Sequence, residues 1–249
     1  MELKNLSSLR SKLVTLNNKL IYTYENVTKY IDHIVKNQLF LISYINIYNK
    51  NKTLNKSKVL KIKNKFNLSY LCKNDICVKV EYISMPKFVE IPDGKGNIKR
   101  YISKSYTYRD LKLHNYDTIK SVEPNIYLSY KCTSDSQCLT NKCIDGVCIF
   151  NEENPTEFCT SIYINLFIRF SYMHCGKMIG DICKKDKECG SKNCLSQKNI
   201  CGNPPDGPSD SDITDGLINL ICLVIIIFII YKILCRCIKS IIKNKIKKE

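Results

Sequence analysis

The stretch CTSDSQCLTNKC, residues 132–143, decides the fold of this 249-residue chain. Its pattern, C-x2-D-x2-C-x4-C, returns as CKKDKECGSKNC at residues 183–194. A fourth cysteine follows each copy, at Cys148 and at Cys201. A unit of about fifty residues with its linker is too small to be stabilised by burial alone, and disulfides are the usual remedy. The pattern therefore predicts a duplicated module held together by disulfide bonds.

Twelve of the fifteen cysteines precede a C-terminal apolar run, and the other three, Cys222, Cys235 and Cys237, lie in or just after it. An even number of cysteines in a loop-rich, weakly apolar stretch is typical of a disulfide framework in an oxidising compartment. The spacing leaves the pairing open. The disulfide candidates are Cys72, Cys77, Cys132, Cys138, Cys143, Cys148, Cys159, Cys175, Cys183, Cys189, Cys194 and Cys201.

Zinc binding is the alternative use of these cysteines. Structural zinc sites favour paired C-x2–4-C knuckles, whereas four to six residues separate most neighbours here. His174 beside Cys175 could add a ligand, but a lone histidine in an aromatic stretch is more often packed or exposed. We therefore predict no metal ion and no cofactor.

Asp135 and Asp186 occupy the same position in the two copies. An aspartate between closely spaced cysteines can close an Asx-turn onto the backbone, and it can also bind calcium. The polar residues around both aspartates favour the turn.

At these residues the chain resembles known cysteine-rich modules. The pattern C-x2-D-x2-C-x4-C-x(4–6)-C resembles EB modules and the N-terminal cysteine-rich region of Dickkopf proteins. The stretch from Tyr130 to Asp212 contains CIFNEENPTEFC, YMHCGK and a GPSDSD ending. It is similar to uncharacterised cysteine-rich surface proteins predicted from genomes of anaerobic gut fungi. The resemblance covers about a third of the chain and implies an extracellular disulfide-bonded fold, a single C-terminal anchor and no assigned activity.

The apolar run from Leu217 to Leu234 predicts a transmembrane helix. Eighteen helical residues rise about 27 Å, close to the hydrocarbon thickness of a bilayer. Roughly fourteen Leu, Ile, Val or Phe residues give an insertion free energy on the order of −5 kcal/mol. The alternative, a buried core helix, is disfavoured because nothing nearby is large enough to surround the run. We expect the lipid bilayer to be a partner of this chain.

The flanks of the run predict its orientation. Four aspartates precede it, and seven bases with one acid lie from Lys232, near its C-terminal end, onward. Basic residues close to a span are retained on the cytoplasmic side. We predict a protein of the plasma membrane or secretory pathway, with its N-terminal part outside and its tail in the cytoplasm. The bases are Lys232, Arg236, Lys239, Lys243, Lys245, Lys247 and Lys248.

Residues 1–70 are rich in Lys and Asn and contain no cysteine. Leu9, Leu13, Leu16 and Leu20 have helical spacing, which predicts helix in parts of this segment. No cleavable secretory signal is evident in it. Two explanations remain: the C-terminal span directs insertion, or the annotated start misses the true leader, and we favour the second.

Residues 71–130 have the period-two pattern of a β-rich unit. Phe88 to Ile91 and Ile98 to Tyr101 flank a Pro-Asp-Gly loop, which predicts a hairpin, and Tyr106 and Tyr108 would continue a strand. The run from Tyr163 to Tyr172 is too short to span a membrane and predicts a strand, a packed helix or a binding face.

Composition divides the chain into seven segments, and the fold class they predict is small disulfide-rich modules of short β-strands and loops with one C-terminal transmembrane helix. The segments are the Lys/Asn-rich segment 1–70, the β-rich unit 71–130, cysteine-rich module 1 (131–175), cysteine-rich module 2 (176–202), an acidic Pro/Gly stalk (203–216), the transmembrane helix (217–234) and a basic cytoplasmic tail (235–249).

No catalytic motif accompanies these modules, since the sequence has no G-x-S-x-G, no Gly-rich phosphate loop and no H-E-x-x-H. We predict a non-enzymatic, single-pass cell-surface protein that binds an extracellular protein or polysaccharide and no nucleic acid. The alternative is a tail-anchored cytosolic adaptor whose cysteines are reduced or bind zinc.

We predict that Cys235 or Cys237 is S-acylated. Both follow the span on the predicted cytoplasmic side, where a disulfide is disfavoured, and an acyl chain would enter the leaflet that the neighbouring bases contact. The alternative is that they are small apolar residues at the helix end. Hydroxylamine-sensitive acyl exchange should label the wild type, with Cys235→Ser/Cys237→Ser as the control. A signal no higher than that of the control would contradict acylation.

Overall fold

The computed structural model describes residues 15–16, 19–29, 44–81, 85–153, 156–165, 169–204, 207 and 211–246. The chain divides into two compact units, Met1–Ile162 with Tyr172–Pro205, and Tyr163–Ser171 with Asp206–Glu249. The predicted class is confirmed: short strands in small sheets, disulfide bonds and a C-terminal apolar helix.

The described residues form sixteen strands and three α-helices. The strands are β1 (Thr15–Leu16), β2 (Lys19–Tyr22), β3 (Ile45–Asn46), β4 (Thr53–Asn55), β5 (Ser69–Lys73), β6 (Ile76–Val80), β7 (Phe88–Pro92), β8 (Ile98–Ile102), β9 (Ile119–Glu123), β10 (Ile126–Ser129), β11 (Cys143–Ile144), β12 (Val147–Cys148), β13 (Glu157–Asn165), β14 (Arg169–Lys177), β15 (Cys194–Leu195) and β16 (Ile200–Cys201). The helices are α1 (Lys56–Val59), α2 (Tyr108–Lys112) and α3 (Ser211–Ile246), and 3-10 turns cover Lys50–Lys52, Asp135–Gln137 and Asp186–Glu188.

The largest sheet has the order β14-β13-β5-β6-β4. All five residues of β5 are buried, because the strand has neighbours on both sides and each face is covered. Successive side chains of a strand point to opposite faces. Leu71 accordingly packs with Val89 and Phe158 on one face of the sheet. Tyr70, on the other face, packs against a cluster of cysteines. The segments 71–130 and 131–175 thus share one sheet.

The hairpin predicted around the Pro-Asp-Gly loop is confirmed. Strands β7 and β8 pair antiparallel from Phe88 opposite Ile102 to Pro92 opposite Ile98. The Asp93 carboxylate closes the loop by accepting hydrogen bonds from the backbone N–H groups of Lys95 and Asn97, at 2.9 and 2.8 Å. Strand β3 adds in parallel to β7. A further sheet, β1-β2-β10-β9, contains the parallel pair of β2 and β10.

Two local predictions are wrong. Leu16 and Leu20 lie in strands β1 and β2 rather than in a helix, because each forms sheet pairs that local periodicity cannot reveal; Leu9 and Leu13 lie outside the described residues. Tyr108 begins helix α2 instead of continuing a strand. Thr107 and Asp110 form a reciprocal capping box that starts this helix.

Helix α3 is longer than the predicted span at both ends. It covers part of the predicted stalk and of the tail, and its segment Leu217–Lys239 is long and apolar enough to cross a membrane. None of the most apolar stretch of this segment is buried within the protein. A core helix would be covered, so this exposure disfavours the core-helix alternative.

Module 2 packs on the large sheet through Gly190. The Gly190 N–H donates to the Lys177 carbonyl of β14 at 3.0 Å. A Cβ added at Gly190 would lie 2.7 Å from the carbonyl carbon of Phe158 in β13 and closer still to its oxygen. The absence of a side chain at Gly190 is therefore what allows the backbones to approach.

We expect Gly190→Ala to destabilise the protein by about 1–3 kcal/mol or more, because the backbone of β13 cannot yield as a flexible side chain would. Gly94→Ala is the matched control: nothing lies within 4 Å of its added Cβ, and a change within about 0.5 kcal/mol is expected. Denaturant unfolding in detergent, followed by tyrosine fluorescence, measures both. Equal midpoints for the two variants would contradict the close packing at Gly190.

Candidate functional site: a disulfide framework with an uncompensated lysine surface

The two cysteine-rich modules have the same bridge pattern, first to third and second to fourth cysteine. In module 1 the bridges are Cys132–Cys143 and Cys138–Cys148, with Cα atoms 6.0 and 5.6 Å apart. In module 2 they are Cys183–Cys194 and Cys189–Cys201, at 6.0 and 5.4 Å. Interlocked bridges of this kind hold a short loop-rich segment without a large apolar core.

Asp135 and Asp186 have equivalent roles in the two modules. The N–H of Cys143 donates to Asp135 Oδ1 at 2.7 Å, and the N–H of Cys194 donates to Asp186 Oδ1 at 2.8 Å. The predicted Asx-turn is wrong, since its bond would reach the residue two positions ahead. Each carboxylate does accept from the backbone, but from the N–H eight residues ahead. Each carboxylate fixes the third cysteine of its module, which the sequence spacing alone does not indicate.

The spacing of the fourth cysteine differs between the modules because the turns differ. Strands β11 and β12 are joined by Asp145-Gly146, both with positive φ (51° and 79°), which suits a two-residue hairpin turn. Strands β15 and β16 are joined by a longer connection, residues 196–199. Despite this difference, the third and fourth cysteines are paired positions in both hairpins: Cys143 lies opposite Cys148, and Cys194 lies opposite Cys201.

Two further bridges meet inside the large sheet. Cys72–Cys77 joins β5 to β6, and Cys159–Cys175 joins β13 to β14. The Sγ atoms of Cys72 and Cys159 are 3.3 Å apart and buried. Sulfur atoms in disulfides carry no hydrogen, so this is a packing contact between two bridges and not a hydrogen bond.

Three groups of three cysteines occur in which the sulfur atoms of the group lie within 4.8 Å of one another. This spacing could hold a metal ion. All of these cysteines are in disulfides, so none is available as a thiolate ligand in this state. His174 belongs to none of the groups; its Nε2 lies 3.2 Å from the Lys187 carbonyl. The three groups are Cys72, Cys77 and Cys159; Cys132, Cys138 and Cys143; and Cys183, Cys189 and Cys201.

The cysteines of helix α3 are separate from this framework. Cys222 and Cys237 are exposed free thiols, and the free thiol of Cys235 is half-buried. Acylation of Cys235 or Cys237 stays a prediction.

A buried lysine connects module 1 to the large sheet. Lys73 of β5 is 6% exposed, and its ammonium donates to the Leu139 carbonyl and, at 3.0 Å, to Asn141 Oδ1. It also lies 4.9 Å from the ring centroid of Tyr101. Burial, assisted by the nearby charge of Lys99, lowers the pKa of Lys73 to about 8.

Seven lysines stack on tyrosines among the described residues, and none of these seven makes an ion pair there. Ion pairs there number three: Lys56 with Glu157, Arg100 with Glu90, and Lys177 with Glu188. The tyrosine-stacked pairs have ammonium-to-centroid distances of 4.6 to 5.6 Å. They are Lys19–Tyr127, Lys73–Tyr101, Lys87–Tyr130, Lys99–Tyr101, Lys104–Tyr106, Lys142–Tyr108 and Lys192–Tyr172.

Comparison with known proteins gives no relative: no family model, no curated protein and no solved structure matches this chain. The resemblance to cysteine-rich surface proteins of gut fungi, and to EB and Dickkopf modules, therefore stays a prediction.

We expect the contribution of Lys73 to the free energy of unfolding to rise from pH 8 to pH 10. The folded protein favours neutral Lys73, with a pKa of about 8, while the unfolded chain keeps this lysine protonated to about pH 10.5. At this residue the unfolded state thus binds more protons across the interval, so the contribution of Lys73 to stability increases with pH.

Lys73→Met should flatten this rise, and Lys198→Met, an exposed lysine, should leave it unchanged. The substitution leaves the Leu139 carbonyl satisfied, since Thr156 Oγ1 donates to it at 2.9 Å. Urea titrations from pH 7 to pH 10, with Cys222, Cys235 and Cys237 replaced by Ser to prevent thiol exchange, measure the slopes. Equal slopes for Lys73→Met and the wild type would contradict the role of Lys73.

Proposed function

We propose that this chain is a single-pass cell-surface protein that displays disulfide-stabilised cysteine-rich modules to an extracellular partner. The observation that carries the proposal is the distribution of cysteines along the chain. Six disulfides precede the candidate span, and the three cysteines within or after it are free. A membrane that separates an oxidising from a reducing compartment accounts for this division.

The charge around the helix supports the orientation with the modules outside. Aspartates precede the span, and seven bases lie near or after its C-terminal end. Lysines near the surface of an anionic leaflet each contribute about 1 kcal/mol to membrane association. The tail would therefore stay in the cytoplasm of a cell whose plasma membrane or secretory membranes hold the protein.

The modules are suited to binding rather than to catalysis. Their shared bridge pattern and equivalent aspartates support an origin by duplication. Bridged, rigid loops bind with little loss of conformational entropy. Seven lysines among the described residues stack on tyrosines, which suits recognition of a protein or polysaccharide.

The alternative remains a tail-anchored cytosolic adaptor with reduced or zinc-bound cysteines. The close approach of the sulfur atoms in three groups favours it, because reduction would leave several thiols near one another. The fit of every bridge to a packed position in the folded chain favours the surface protein.

We expect protease added to intact cells to remove an epitope placed after Cys201 and to spare one placed at Glu249. Replacing the five lysines after Arg236 by Glu should weaken the preference for a cytoplasmic tail, because the bases that are retained in the cytoplasm would be lost. Replacing Lys58 and Lys61 by Glu, far from the span, is the control and should change nothing. The reverse protection pattern would contradict the orientation.

Thiol labelling of the same cells distinguishes the two functions. A surface protein should show no labelling of its twelve framework cysteines before reduction and should migrate faster on a gel without reductant. Full labelling together with unchanged mobility would favour the cytosolic adaptor.

A further inference from the structure

The two cysteine-rich modules have an equivalent face that can be compared directly. In module 1, strands β11 and β12 place Ile144 opposite Val147. In module 2, strands β15 and β16 place Leu195 opposite Ile200. Each pair stands directly after the third cysteine and directly before the fourth cysteine of its module. The surroundings of the two pairs therefore show how each module covers the same face.

In module 1 this face is covered by another part of the chain. Val147 is 2% exposed and packs with Tyr106, and Leu111 and Tyr116 pack against the same cluster. The N–H of Tyr106 donates to the carbonyl of Cys148 at 2.9 Å, which holds the backbone of this tyrosine against the module. Tyrosine and leucine side chains thus protect the face of module 1 from water.

In module 2 the described residues leave the equivalent face open. The carbonyl of Cys201, which corresponds to that of Cys148, accepts from the N–H of Gly180 at 2.7 Å. Gly180 has no side chain, so no ring accompanies this bond. Ile182 and Leu195 are 47% and 41% exposed, and the apolar cluster of module 2 consists of its four cysteines.

Three aliphatic side chains form a continuous row on this face. Ile182 lies opposite Ile200, and Ile200 lies opposite Leu195. Residues directly opposite each other in antiparallel strands point their side chains to the same face, with Cβ atoms about 5 Å apart. We call these three residues the module 2 row. Aliphatic residues that are exposed side by side need an explanation that isolated ones do not.

Lysines surround the module 2 row. Residues 176–202 contain six lysines and three acids, which gives six minus three, or +3, and five of the lysines are exposed. Lys184 is two residues from Ile182, and Lys198 is in the connection between β15 and β16. A surface of this charge attracts an acidic partner.

The acids of module 2 are engaged within the module. Asp181 and Asp186 each accept a backbone N–H, at 2.7 and 2.8 Å. Glu188 pairs with Lys177 at 3.5 Å. A second copy of module 2 would bring the same excess of lysines to the row, so charge disfavours self-association through this face.

We propose that the module 2 row binds an acidic segment of a partner protein that presents tyrosine and leucine side chains, as residues 104–117 do to module 1. The cover of module 1 indicates these side chains, and the charge of +3 indicates the acids, which would face Lys184 and Lys198. A polysaccharide has no aliphatic side chains to bury the row. This partner deepens the proposed display function and rests on it.

An acidic peptide provides the probe. Its sequence is that of residues 104–117 with Lys104→Glu, Arg109→Glu and Lys112→Glu, which keeps the tyrosine and leucine side chains that cover module 1. Its two aspartates and three glutamates give a charge of −5. Fluorescence anisotropy of the labelled peptide should show saturable binding to the full chain in phosphatidylcholine nanodiscs.

Ile182→Ser/Leu195→Ser should weaken this binding at least about tenfold, because apolar surface is no longer buried. The matched control, Leu60→Ser/Ile98→Ser, removes the same two kinds of side chain from positions outside module 2 that are both 45% exposed. It should change the affinity less than about twofold. Unfolding midpoints close to that of the wild type, and unchanged mobility without reductant, show that both variants fold and form their bridges.

Lys184→Gln/Lys198→Gln tests the charge beside the row. This variant should weaken binding of the acidic peptide at least about threefold at 0.15 M salt. Lys58→Gln/Lys61→Gln removes the same charge from exposed lysines elsewhere and should change the affinity less than about twofold, because salt screens distant charges. The unsubstituted peptide, with three bases and two acids, should bind more weakly than the acidic one.

Five outcomes would overturn the proposal. Wild-type protein that does not bind the acidic peptide, or equal losses in the two Ser variants, would mean that the row is not the site. Equal losses in the two Gln variants would mean that bulk charge attracts the peptide. Binding of phosphatidylserine vesicles that only the row variant loses, without peptide binding, would identify a lipid surface. Association between nanodiscs of one chain each, lost in the row variant, would identify a second copy.

The nanodisc measurements do not depend on where the chain resides in a cell. Their failure would leave the cell-surface proposal standing, since the protease and thiol-labelling experiments test that separately.

Discussion

The packing of two disulfides against each other inside the five-stranded sheet is the interaction on which this fold depends. Cys72–Cys77 and Cys159–Cys175 tie neighbouring hairpins, and their Sγ atoms at 3.3 Å bring β5 and β13 together across 87 residues of chain. A small β-sheet has a limited apolar core. The two disulfides restrict the unfolded chain and so supply stability that burial alone does not provide. Val59, Tyr70 and Met173 pack around the bridges and keep them from solvent.

The modules then attach to this sheet through few but specific contacts. Gly190 lets module 2 approach the backbone of β13, and Lys73 extends from β5 to the loop of module 1. Neither contact is a large apolar interface. Close backbone packing and a buried, fully engaged ammonium group are sensitive to single substitutions, which makes the attachment rigid and specific. A rigid attachment suits the proposed role of presenting a surface.

Acidic and basic residues are unevenly distributed along the chain. Aspartates before the span and bases near and after its end support the proposed orientation of the helix, while most of the net charge lies on residues 1–204. Lysines stacked on tyrosine rings keep their ammonium groups accessible and their stems covered.

The sequence by itself determined the features that depend on neighbouring residues. The apolar run at Leu217 shows a helix long enough to cross a bilayer, and the Pro-Asp-Gly loop shows the β7–β8 hairpin, because length, hydropathy and turn chemistry are local properties. The disulfide-rich class followed from cysteine spacing. Local patterns also misled: the spacing at Leu16 and Leu20 indicated a helix, but pairing with distant strands made both residues part of a sheet.

Only the tertiary structure decided which residues meet across long stretches of chain. The pairing of β5 with β13, the reach of Asp135 to Cys143 and the close approach of Gly190 to Phe158 each join groups whose separation in sequence carries no signal of contact. Twelve cysteines allow many connectivities, and the positions of the strands select one of them. The physical reason is that disulfide pairing and charge clustering require atoms within a few ångströms of one another, which a folded backbone fixes and spacing along the chain does not.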